Sequence, residues 1–150
     1  MSNTANSVMS PQAAILGHCN LAAVTACTTR GPTATASLAG ANIVIALAAN
    51  ASADQKISKI GIKGISTSIT APTAANIVGI WHWDGTNAYL MYEILVTVVT
   101  PSASAVASFY AEQLFDDFVL PATHALYMSV GVTTTASTTA LQATIHGASL

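Results

Sequence analysis

The chain has 150 residues, a length for one domain that folding can bury by roughly 70% of its unfolded surface. Only 7% of residues are charged, against about 25% in an ordinary soluble domain, while 52% are hydrophobic, so charge is not what keeps this surface in water. A net charge of −2 with four Lys and Arg excludes phosphate-driven nucleic-acid binding, which needs clustered cations; Lys56, Lys59 and Lys63 are too thin a group.

Residues Met1 to Ser10 are small and polar without periodicity and are expected to form a flexible N-terminal arm, followed by a single domain over 11–150. Val, Ile and Thr recur throughout, Gly and Pro interrupt at short intervals, and no window keeps helical spacing with caps, which predicts a nearly all-β chain. Strands are expected at Ala13 to His18, Leu21 to Thr28, Asn42 to Ala49, Lys56 to Ile65, Asn76 to Trp83, Ala88 to Val99, Val106 to Phe115, Ala125 to Thr133 and Ala140 to His146.

The clearest hairpin is Gly79 to Trp83, then Asp84-Gly85-Thr86-Asn87, then Tyr89 to Val98, because Asp-Gly between aromatic and aliphatic runs favours a tight turn. Ile80 and His82 should face one way and Trp81 and Trp83 the other. The return strand is apolar on both faces, with Leu90, Tyr92, Ile94, Val96 and Val98 on one, which predicts a central strand covered on both sides. Asp116-Asp117 and Pro121 read as turn chemistry. The even cadence of short strands predicts an antiparallel two-sheet β-sandwich, jelly-roll-like.

No apolar stretch is long and uncharged enough to span a membrane; Ala88 to Val99 carries Glu93 in its middle. The first basic residue is Arg30, so no secretory signal is expected, and synthesis in the cytoplasm is the default. Cys19 and Cys27 are expected to be buried thiols rather than a bridge.

Lys56 to Gly64, Val78 to Asn87, Thr100-Pro101-Ser102 and Phe115 to Ala122 together look like segments of small β-sandwich virion proteins of tailed bacteriophages. In that group a strand ending in Asp-Gly-Thr-Asn is followed by a hydrophobic strand, a Thr-Pro-Ser turn and a strand closing on Leu-Pro-Ala. The likeness covers Lys56 to Ile145; the first 55 residues have no counterpart in it. It implies a non-enzymatic structural subunit located in the virion, a capsid decoration or cement protein, or alternatively a tail or neck accessory. The scarcity of charge predicts self-association into a homo-oligomer, and the resemblance implies the major capsid protein or other virion proteins as partners.

Several residues could carry chemistry. Trp81, Trp83 and Asp84 could form a sugar platform, aromatic faces stacking on a pyranose while the carboxylate accepts hydroxyl bonds; the alternative is that the tryptophans anchor a core or subunit interface and Asp84 sits in the turn. His18, Cys19 and Cys27 offer zinc-type ligands without the usual Cys spacing or a fourth ligand, and strand packing accounts for them better. Glu112, Asp116 and Asp117 are the one acidic cluster and could serve a glycoside hydrolase or Ca²⁺. His124 and His146 have hydroxyls in plenty nearby in sequence, but no nucleophile elbow or phosphate loop is present. No catalytic residue, metal or cofactor is therefore expected.

Overall fold

The structure, a computed structural model, describes residues 14–34 and 42–150. The expected arm over 1–10 lies outside the described residues. Among those described there is no helix, and none therefore long and apolar enough to cross a membrane.

Among the described residues nine strands form: β1 (Ala14–Leu21), β2 (Thr33–Ala34), β3 (Ile43–Leu47), β4 (Gln55–Gly64), β5 (Asn76–Trp83), β6 (Asn87–Val96), β7 (Tyr110–Leu120), β8 (Ala125–Val130) and β9 (Leu141–Ser149). One sheet has the order β1-β9-β4-β7 and the other β2-β6-β5-β8-β3, with every pair antiparallel. Leaving out the two-residue β2, the pairs β1 with β9, β3 with β8, β4 with β7 and β5 with β6 nest inside one another. A long hairpin rolled onto itself gives this nesting, and the fold is the jelly-roll β-sandwich expected from the strand cadence.

Period-two alternation, reset in β4 by a bulge between Ile57 and Lys59, sends Ile57, Ile60 and Ile62 of β4 and Leu141, Ala143 and Ile145 of β9 inward. They meet Val78 and Ile80 of β5 and Leu126, Met128 and Val130 of β8 in one buried core. Gly147 lets β9 close on β4: a Cβ there would lie 1.9 Å from the Lys56 carbonyl oxygen. That approach sits beside a bulge at Ser58, whose hydroxyl donates to the His146 carbonyl at 3.1 Å.

Three expectations are corrected. Leu21 to Thr28 is not a strand beyond Leu21. The chain there leaves the first sheet for the second and ties down through single bonds, Thr134 N–H to the Val24 carbonyl at 3.0 Å and Cys27 N–H to the Val130 carbonyl at 2.8 Å. A segment crossing between sheets cannot hold a ladder with either.

Asp116-Asp117 is no turn, since β7 runs on to Leu120. Its register against β4 jumps from Leu114 opposite Lys59 to Phe118 opposite Ile57, and this bulge turns both aspartates to solvent.

The strand after the hairpin is not central. Beyond Asn87 and Ala88, which pair with β2, β6 is the open edge of its sheet among the described residues, and Tyr92, Glu93 and Leu95 are exposed. A bulge at Met91 also breaks the alternation, so that Leu90 lies opposite Trp81 on the outer face while Tyr92 lies opposite Ile80.

Candidate interaction surface

The Asp84-Gly85 hairpin sets the geometry of the tryptophans. Gly85 has φ +99°, a left-handed conformation that favours glycine, and Asp84 Oδ1 accepts the N–H groups of Thr86 and Asn87, each at 2.8 Å. Those bonds hold the Asp84 carboxyl below the usual carboxylate range. Its Oδ1 is thus committed to the turn.

With the turn fixed, Ile80 joins the main core and Trp81 faces the outer side of the five-stranded sheet, as the alternation predicts. Trp81 nevertheless is only 1% exposed. It packs with Ala88, Leu90, Ile43, Tyr127 and Cys27, and its indole N–H donates to Ser129 Oγ at 2.8 Å. Gly79 makes the bond possible, since a Cβ there would stand 2.7 Å from Ser129 Oγ. Trp83 is half-buried, edge-on to Tyr127 at 6.3 Å, and its buried indole nitrogen has no hydrogen-bond partner among the described residues. A sugar platform needs an open aromatic face, and Trp81 supplies none. The geometry is that of an anchor, with Trp83 and Tyr127 at its margin.

Beside this anchor a cavity of about 450 Å³ opens between the outer sheet face and the segment Cys27 to Arg30, walled by Ile77, Leu90, Leu95 and Val132. Arg30 Nε and Glu93 Oε1, 2.8 Å apart, pair across it in solvent. Its walls are mostly apolar, with the free thiol of Cys27, the hydroxyls of Thr28 and Thr29 and the Arg30–Glu93 pair at its polar side.

The other candidates are dispersed. His18 is exposed while Cys19 points into the core, where burial pushes its thiol pKa to about 12; Cys27 packs on the opposite sheet, and both cysteines are free. No cluster of three or more metal-ligating side chains occurs among the described residues. Glu112 accepts from Lys59 Nζ at 2.7 Å and from the Tyr110 hydroxyl, which together hold its carboxyl below the usual range. Asp117 pairs with Lys56 at 3.3 Å. Both carboxylates serve separate ion pairs on β7, away from the cavity, which lies against the other sheet.

His124 does not join His146, which lies on β9. It meets His82 instead, Nε2 of His82 standing 2.8 Å from Nδ1 of His124. Sequence reasoning missed this pair because its members are 42 residues apart, on the end of β5 and on the β7–β8 turn, and only the adjacency of β8 to β5 joins them.

No known protein family, curated protein or solved structure matches this chain.

Proposed function

We propose that the chain is a non-enzymatic structural subunit of a bacteriophage virion, a capsid decoration or cement protein that self-associates and bridges neighbouring shell subunits. The supporting observation is the open side of the sandwich. There the edge strands β6 and β7 leave Leu95 and Leu114 each 65% exposed, with Tyr92 stacked edge-on to Phe115 between the sheets at 5.0 Å. Long unpaired edges carrying large apolar side chains are a hazard for a protein that works alone, and become useful when another chain covers them. The scarcity of charge points the same way, and the likeness to small phage virion proteins supplies the setting.

Each copy would bury apolar and backbone area at a junction, and modest contacts repeated around a shell sum to a large stabilisation. Self-association of this kind is nearly insensitive to salt, whereas Leu95→Asp or Leu114→Asp weakens it. The decisive experiment is quantitative mass spectrometry of purified particles, counting this chain against the most abundant shell protein. Hundreds of copies support a decoration protein, a handful a tail or neck accessory; absence from particles overturns the proposal.

A further inference from the structure

His82 ends the inward-facing row of β5, next to Tyr89 on β6 and Leu126 on β8, with the Phe118 ring edge-on at 6.4 Å. The His124 ring lies 4.9 Å away, tilted by 33°, with the two ring nitrogens in hydrogen-bonding contact. One nitrogen of that contact must carry a proton and the other a lone pair. The bond survives one proton added to the pair and cannot survive two, because N–H would then face N–H between two cations.

His124 closes a turn that is under tension. Thr123 has φ +71°, a left-handed conformation disfavoured for a β-branched residue. Tethers outside the turn hold it there: Ala122 N–H donates to Asp54 Oδ1 at 2.7 Å, Thr123 N–H donates to the Asn50 carbonyl at 2.7 Å, and the imidazole pair is the third. Loss of one tether leaves the strain to favour a relaxed turn.

We propose that the His82–His124 pair is an acid-sensitive latch, which pins the β7–β8 turn to the end of β5 while at most one ring is charged and releases it when both are. The groups facing the pair do not cancel the second charge. Asp84 keeps its negative charge while its Oδ1 accepts the N–H groups of Thr86 and Asn87, but its pull on His82 is outweighed by burial and by His124. From β7 the facing residue is the uncharged Phe118, Asp117 being paired with Lys56, and in the β3–β4 loop Asp54 is bound to Ala122.

Burial first, and His124 second, hold His82 below the ordinary imidazole value of 6.5 against the opposite pull of Asp84. The released state therefore binds more protons than the latched one. The latch is intact above pH 6.5, weakens as pH falls below it, and stops weakening below the latched value of His82.

The test is a ¹⁵N imidazole NMR titration of the full chain, with amide exchange at pH 7.5 and pH 5 corrected for intrinsic rate. A His82 titration step displaced below 6.5 is expected. Protection of the Thr123 and His124 amides should fall about tenfold for each unit of that depression, while Ile60 and Ile145 stay protected. In His124→Gln, whose amide can bond His82 without taking a proton, the loss should largely disappear. Titration of His82 at its ordinary value of 6.5, or the same loss of protection in His124→Gln, overturns the latch. Should that variant fail to fold, the wild-type titration decides alone.

Discussion

The bond between Trp81 and Ser129 is the most direct place to measure what the outer sheet face contributes to stability. Ser129→Ala leaves an indole N–H buried without a partner, an expected cost of about 1–3 kcal/mol. Trp81→Phe orphans the serine hydroxyl and also removes packing from the largest fully buried side chain, for about 2–3 kcal/mol. The double variant removes both polar groups, so neither is left unpaired, and its cost should fall short of the sum by about 1 kcal/mol. Urea unfolding at fixed protein concentration, with the slope m unchanged among variants, measures all three. Against a total stability of about 5–15 kcal/mol such effects are easily resolved. Costs that add to within about 0.5 kcal/mol would refute the coupling. Gly79→Ala is a second route to the same bond, because its Cβ would intrude 2.7 Å from Ser129 Oγ and 3.0 Å from the indole nitrogen.

Gly147→Ala should be the most damaging single-methyl addition, since the obstacle 1.9 Å away is backbone and the whole β4–β9 ladder must part; we expect at least about 3 kcal/mol or failure to fold, read by circular dichroism and yield. Native protein should react with a thiol reagent at Cys27 and not at Cys19 until denatured, because only Cys19 is sealed in the core with its thiol pKa at about 12; equal rates would contradict the packing. Glu112 is held below its ordinary carboxyl value, chiefly by Lys59, so it contributes stability above the unfolded value of 4.5 that is lost as pH falls through the folded one. Glu112→Gln should flatten the acid limb of the stability curve below pH 4.5, by a small amount because the group is exposed, and an unchanged limb would show the pair to be idle.

Much of this molecule is written locally. Scarcity of charge, β-branched alternation and Asp84-Gly85 were enough to predict an all-β sandwich, the β5–β6 hairpin and the opposite facing of Ile80 and Trp81, because turn chemistry and side-chain period depend on residues within a few positions of each other. What a strand lies beside is another matter. Tyr89 to Val96 is apolar on both faces whether it is central or an edge, and only the nesting of the roll leaves β6 open. The same holds for Asp116 and Asp117, whose shared exposure comes from a bulge measured against β4, and for Leu21 to Thr28, which past Leu21 makes isolated bonds and no ladder because the chain is changing sheets. Trp81 could have been a platform or an anchor; its burial was decided by Cys27, Ile43 and Tyr127 arriving from three other parts of the chain. The His82–His124 contact likewise exists only because β8 is laid against β5, bringing a turn to a strand end across 42 residues. Local sequence determined which elements form, and the long-range pairing of strands decided which residues meet.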